Sequence, residues 1–298
     1  MITMASGRAP VTVVVLTYNE ERNLGPCLDS VKNWASRVII VDSGSTDATP
    51  TIARSRGAEV LTHAFETHAK QWQWALAQLP LETEWVLGLD ADQQVTAELA
   101  GQIAALLASD PPASGVFVRR KQIFRGKWIR YGGYYPKYLL KLFRLGRVSV
   151  DAQDLVDHHF AVSGPTASLT GDLIEDNQNE AEIAVWTAKH NRYAVLQARQ
   201  EVAATRERVG VSALFGDPDS RVRFLKQLWS GLPLFVRPCL YVVYRYVLRF
   251  GFLDGKQGFI FHVLQGFWYR LLVDINVDEL RAQAGVIPEA REAKLRQS

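Results

Sequence analysis

Four short apolar runs, each handing over to a helical stretch, constrain this chain more than any other feature. Residues 11–17 (VTVVVLT), 37–41 (RVIIV), 58–62 (AEVLT) and 85–87 (WVL) are β-branched or apolar runs of strand length. Residues 23–34, 49–56 and 68–79 between them read as helices, the first with Leu24, Leu28 and Val31 at helical spacing. Unbroken apolar runs suit strands buried on both faces. Alternation of strand and helix predicts right-handed crossovers and a parallel sheet. After a further helix over 96–108, closed by Asp110-Pro111-Pro112, the alternation stops, and 115–120, 139–143 and 167–170 read as strands added to the sheet.

Ligands of such sheets bind at the carboxyl ends of the strands. Residues 84–92, EWVLGLDAD, place Asp90 and Asp92 directly after the fourth strand. As a bare tripeptide, Asp-x-Asp is a solvated turn. At a strand's end it is a hard-oxygen pair suited to Mg²⁺ or Mn²⁺ carrying a diphosphate. After the first strand, Asn19 reads as an N-cap and Glu20 and Glu21 suit a helix's first turn. Thr17, Tyr18 and Glu20 would equally lie beside a nucleotide. Asp42 in VDSGSTD can accept hydrogen bonds from a base or ribose, Asp47 can cap the next helix, and Lys70 can reach a phosphate. No Gly-x-Gly-x-x-Gly follows the first strand and the chain has no Gly-x-x-x-x-Gly-Lys, so neither a dinucleotide fold nor a P-loop is supported.

Composition matters at the C-terminal end. Net charge is +3, yet residues 219–270 hold eight Lys or Arg against two Asp, interleaved with large apolar groups. The longest uncharged run there, 257–269, is thirteen residues, short of the roughly twenty that a spanning helix needs. Arg221, Arg223, Lys226, Arg237, Arg245 and Arg249 among aromatics fit helices lying in an anionic membrane surface. An oligomer contact is the rival reading, and nucleic acid is disfavoured because base-reading motifs are missing. Pro233 and Pro238 should break these helices, and GFLDG (251–255) reads as a turn between two of them. The expected division is a catalytic domain over 1–205 and an amphipathic, basic helical region over 206–298. Two distant cysteines, Cys27 and Cys239, fit a reducing compartment, and residues 1–10 carry no apolar signal segment.

Four motifs now stand in order: VVVLTYNEE, VDSGSTD, LGLDAD and YYPKYLLKLFR. Together with GFLDGKQGFIFHVLQGFWYRLLVDI they resemble the family 2 glycosyltransferases of GT-A fold, within them the lipopolysaccharide-core and exopolysaccharide glucosyltransferase-like group, over roughly residues 11–280. The resemblance implies a nucleotide-diphospho-sugar transferase with a Rossmann-like mixed sheet flanked by helices. Thr17, Tyr18, Glu20 and Asp42 would line the nucleotide pocket. Asp90 would face ribose or metal, Asp92 would be the principal ligand of Mg²⁺ or Mn²⁺, and Lys70 would stand near the diphosphate. It implies a UDP-linked donor, a lipid-linked or lipopolysaccharide-type acceptor, and a peripheral place on the inner face of the cytoplasmic membrane. Two departures are visible. Gln73 replaces a common Asn, and DLVDHHF (154–160) puts His158 where relatives carry a glutamate.

Glycosyl transfer needs the leaving diphosphate neutralised, the acceptor hydroxyl deprotonated by a base, and both held in line. Asp157 is the first candidate base and His158 the second, while His159 can ligate metal or phosphate. Direct attack by the acceptor inverts the anomeric carbon. RYGGYYPKY (130–138) is either a packing corner or an acceptor wall, and Lys189 is either solvated or an acceptor contact. A sugar nucleotidyltransferase is an alternative, but it would want a glycine-rich basic loop where TYNEE stands. A non-catalytic membrane scaffold is another, which would hydrolyse no nucleotide sugar.

Overall fold

The computed structural model describes residues 7–80, 83–150, 159–203 and 231–295, with side chains of the last helix to residue 284. The chain forms two compact units, Met1–Trp186 and Thr187–Ser298.

The first unit is built on one mixed sheet. Its strands are β1 (Ala9–Thr17), β2 (Ala35–Asp42), β3 (Glu59–Thr62), β4 (Trp85–Asp90), β5 (Gln93–Val95), β6 (Gly115–Phe124), β7 (Lys127–Trp128) and β8 (Lys137–Arg144), with β11 (Thr166–Glu175). β9 (Val148–Val150) and β10 (Phe160–Val162) form a separate antiparallel ribbon. The order is β3-β2-β1-β4-β8-β6-β11-β5, with β7 paired to β6. β3, β2, β1 and β4 are mutually parallel, as the alternation predicts. β8 joins antiparallel to β4, and β6 antiparallel to β8.

β1 explains why its sequence is so uniformly apolar. Val11, Val13 and Val15 belong to one core with α1 (Leu24–Asp29), α2 (Thr49–Ser55) and α4 (Ala97–Ala108). Val14 points to the other face, into a core with Trp72 of α3 (His68–Ala77), Val86 and Phe143. A strand covered on both sides has no polar position to spare, and each such valine contributes about 1.5–3 kcal/mol by burial. Gly88 in β4 is part of this packing. A Cβ there would meet Trp72 and Phe160 at 3.0 Å.

Local expectations differ from the structure at three places. The helix read over 23–34 is only six residues, Leu24–Asp29. Asn19 is not its N-cap: Asn23 holds that position, and Asn19 sits in the left-handed region at φ 54°. Pro238 does not break a helix. It is the third residue of α6 (Val236–Val242), in the first turn, where the missing N–H has no intrahelical partner to lose.

The second unit packs α5 (Ile183–Ala203), which begins in the first unit, through Ala194 and Ala198 against Tyr269, Val273 and Val277 of α8 (Tyr269–Leu295). α6 continues as a wide helical turn over Val243–Leu248, and α7 (Gly255–Phe261) likewise over His262–Trp268. A 3₁₀ turn, Gly251–Asp254, joins these arms as the GFLDG motif predicts. Arg237, 1% exposed, is held by Asp274 at 2.6 Å and by both oxygens of Glu201 at 2.8 and 3.1 Å. Among the described residues no helix is long and apolar enough to cross a membrane.

Candidate active site at the sheet rim

Register brings the predicted residues onto one rim. Thr17 pairs with Asp42 across β1 and β2, and Leu16 pairs with Asp90 across β1 and β4. The carboxyl ends of three neighbouring parallel strands thus carry Thr17, Asp42 and Asp90 side by side.

Asp42 is buried and saturated. Its Oδ1 accepts from the hydroxyls of Thr17 (3.0 Å) and Ser45 (2.5 Å), and its Oδ2 from the backbone N–H groups of Gly44 (3.1 Å) and Ser45 (2.9 Å). Four donors occupy what a carboxylate offers, so Asp42 shapes the Ser43–Ser45 loop. Gly44, at φ 86°, supplies the left-handed turn that lets the loop fold back. Asn19 ties this loop to the end of β1: its N–H donates to Ser45 Oγ (2.8 Å) and its Oδ1 accepts from Thr46 N–H (2.8 Å). Asp47 accepts from the N–H groups of Thr49 and Glu21. Burial opposes the charge of Asp47, but these bonds hold its carboxyl below the ordinary carboxylate range. Tyr18 is 58% exposed at the strand's end.

Glu20 faces inward across the rim. Its carboxylate accepts from Asn23 (2.7 Å) and Asn179 (3.0 Å). Asn23 also bonds Asn177 (3.1 Å) and the N–H of Gln178 (2.8 Å). The loop after β11, Asp176-Asn177-Gln178-Asn179, is therefore locked to the loop after β1. Asp176 N–H donates to the carbonyl of Asp92 at 3.0 Å, and burial pushes the Asp176 carboxyl up from its ordinary range, partly offset by Gln178.

Asp90 and Asp92 are both half-buried. Asp90 Oδ2 accepts from Lys141 Nζ at 2.8 Å, and the lysine is 4% exposed. Behind them Gln93 accepts from Asp90 N–H (3.1 Å) and donates to Glu175 (3.0 Å), which also takes a bond from Arg120 (3.3 Å). The field at this point is negative. Burial first, and then the carboxylates of Asp92, Asp90 and Glu20, push the Cys27 thiol well above its ordinary range, with Lys141 opposing.

That field and the oxygen-only donors fit a divalent cation. Mg²⁺ is typically held by one or two carboxylates and substrate phosphates rather than by a full protein cage. Among the described residues no cluster of three or more His, Cys, Asp or Glu side chains is placed to hold an ion. His159 is exposed, directly before β10.

Other expected residues are placed as follows. Lys70 lies on the outer face of α3, half exposed, in an ion pair with Glu66 at 2.5 Å. Asp157 and His158 lie outside the described residues, as do Asp151, Asp154, Arg221, Arg223 and Lys226. In the RYGGYYPKY stretch Tyr134 is buried, Tyr135 donates to Asp172 (2.9 Å) and meets Trp128 edge-on, and Tyr138 is exposed. Lys189 lies over the ring of Tyr193, 5.4 Å from its centroid.

The sequence reading missed Lys141, Gln93, Asp176 and Asn179. For Lys141 there was a signal, a lone cation between apolar pairs in LLKLF. A concavity of about 580 Å³ lies at the opposite end of β4, lined by Thr83, Glu84, Ser114 and Arg144, away from the rim.

Comparison with known proteins gives the family. The profile described as Glycosyl transferase family 2 matches residues 12–162. Lipopolysaccharide core biosynthesis glycosyltransferase LpsC of Rhizobium meliloti (strain 1021) is 27% identical over 254 residues, 80% of this chain and 90% of that protein. An uncharacterized glycosyltransferase of Rickettsia bellii (strain RML369-C) is 35% identical over 99 residues, 33% of each chain. Among solved structures, glucosyl-3-phosphoglycerate synthase from Mycobacterium tuberculosis, in complex with Mn²⁺, UDP and glucosyl-3-phosphoglycerate, aligns with a TM-score of 0.42 at 16% identity, covering 69% of this chain and 84% of that one.

Proposed function

The chain belongs to glycosyl transferase family 2 and is a glycosyltransferase of GT-A fold, and we propose that it moves a sugar, with inversion, from a UDP-linked donor to a lipid-linked saccharide or lipopolysaccharide-core acceptor. The likeness to LpsC along 90% of that protein supports the acceptor class. We place the reaction at the cytoplasmic membrane's inner face, with the protein peripheral to it.

The observation that carries the reading is the register that sets Thr17, Asp42 and Asp90 side by side at the carboxyl ends of three neighbouring parallel strands, with Asp92 two residues beyond Asp90 and the Thr17–Asp42–Ser45 loop braced beside them. Asp92, with Asp90, would hold Mg²⁺ or Mn²⁺. Bound there, the ion supplies Lewis-acid neutralisation of the departing diphosphate. Everything else falls to the chain. Lys141 fixes the Asp90 carboxylate from behind. The Ser43–Ser45 loop and the exposed ring of Tyr18 flank the nucleoside, and Lys70 would reach the diphosphate only after releasing Glu66. The acceptor proton goes to a base drawn from Asp157, His158 and Asp176. Asp176 joins the two expected candidates because its backbone is bonded to Asp92 and its carboxyl is biased toward holding a proton.

The test is incubation with Mn²⁺ and a panel of nucleotide sugars. A glycosyltransferase slowly hydrolyses its own donor or transfers from it, whereas a scaffold hydrolyses none. Asp157→Asn, His158→Gln and Asp176→Asn then separate the bases. The true one loses transfer by about 100-fold or more while donor binding persists.

A further inference from the structure

The helical hairpin of the second unit turns its apolar side outward. Of seventeen large hydrophobic side chains exposed among the described residues, eleven fall within residues 235–259. Along the first arm, Val236 (48% exposed), Leu240 (50%), Val243 (50%) and Val247 (50%) recur at three- to four-residue spacing, so one helical face is apolar and open. At the apex Leu248 is 64% exposed and Phe250 57%. Eleven half-exposed apolar side chains within twenty-five residues concentrate exposed hydrocarbon on one segment.

Charge on this hairpin has one sign. Arg249 and Lys256 are exposed, Arg245 is half-buried over the ring of Tyr241, and the one acid between 235 and 259, Asp254, is 3% exposed. The apex is thus an apolar ridge flanked by cations, with no exposed acid among them.

We infer that the hairpin spanning residues 235–259 inserts its apolar ridge into one leaflet of an anionic phospholipid membrane, with Arg249 and Lys256 among the headgroups. This deepens the membrane-face reading above and rests on it. No described helix is long and apolar enough to cross a bilayer, so the hairpin would lie in its surface. Each cation contributes on the order of 1 kcal/mol against an anionic surface, and the ridge supplies the apolar part. A second copy is the weaker occupant. A two-fold contact sets the same patch against itself, which would bring Arg249 and Lys256 toward their own copies with no exposed acid to meet them.

The experiment uses the full chain and vesicles of phosphatidylcholine containing about 30% phosphatidylglycerol, with pure phosphatidylcholine as control. Wild type should co-sediment with the anionic vesicles, less with the neutral ones, and less in high salt. Leu248→Glu/Phe250→Glu and, separately, Arg249→Glu/Lys256→Glu should each lose at least tenfold in vesicle affinity. Both should keep the wild-type melting temperature and donor hydrolysis. Wild type that ignores anionic vesicles overturns the inference, as does an apex variant that binds them equally. So does a dimer in light scattering that the apex variant dissolves without any vesicle binding. Vesicle binding without turnover of any nucleotide sugar sinks the transferase reading and leaves the hairpin; donor hydrolysis without vesicle binding does the reverse.

Discussion

At the sheet rim charge is drawn inward and braced, while along the 235–259 hairpin apolar side chains face out and the acid is buried. Asp42 accepts four hydrogen bonds, Glu20 accepts from two asparagines, and Asp90 is backed by a buried lysine. In the second unit Arg237 and Asp274 are 1% exposed, and His262 is fully buried. Both regions cost stability relative to an ordinary core and surface, in opposite ways. The rim concentrates negative charge that a cation would satisfy. The hairpin leaves hydrocarbon in water that a lipid surface would cover. A protein keeps such costs where a partner removes them, which is why the proposed chemistry is assigned to the rim and the proposed membrane contact to the hairpin.

The largest expected effect breaks the rim. Asp92→Asn should keep its melting temperature yet lose turnover by about a thousandfold, the several kcal/mol that a bound ion contributes to charge stabilisation. Chelation of wild type should reproduce the loss. An Asp92→Asn enzyme with normal turnover would end the rim's claim to the chemistry. Arg237→Met should do the opposite. By leaving Asp274 and Glu201 facing an apolar chain, it should cost about 3–5 kcal/mol of stability, read by denaturant melts. Replacing all three with apolar residues of similar volume should restore most of that loss.

Lys141→Met comes next. The lysine acts through Asp90, so its removal should raise the donor KM and the metal concentration needed for half-activity by about tenfold, the worth of one charge-assisted bond. The kcat at saturation should change less. A purely structural lysine would instead lower the melting temperature and leave metal dependence alone.

Much of the rim is legible in the sequence because parallel strands buried on both faces leave unbroken apolar runs, and the residue after such a run must sit at the carboxyl edge. Thr17, Asp42 and Asp90 follow from that alone. What is not legible is what holds them. Asn19 reads as a local N-cap, yet its side chain bonds Thr46, twenty-seven residues on. Glu20 is fixed by Asn179, 159 residues away. No local pattern encodes such pairings. β5 is three residues with two glutamines and carries no strand signature, although Gln93 anchors Asp90 and Glu175. In the second unit the basic, aromatic composition was visible. Which way the apolar residues face required the packing of the arms.

The smallest effect separates the two regions by pH. His262 is fully buried beside Arg245, and burial, reinforced by that cation, lowers its pKa from 6.5 to about 4. Between these values the unfolded chain takes up a proton that the folded imidazole refuses. Stability is therefore fully present above 6.5, declines as pH falls through that window, and levels off below about 4. The rim acid Asp47 has a folded pKa held below 3.8, so its contribution is present above 3.8 and is lost only below that. Acid should thus reach the helical unit first. A melting temperature that drops by a few degrees between pH 7 and pH 5, about 2–4 °C for each kcal/mol in a chain of this class, should lose that slope in His262→Asn while keeping the steeper fall below pH 4. An unchanged slope in His262→Asn would move the early acid sensitivity away from this buried imidazole and remove the distinction between the helical unit and the rim.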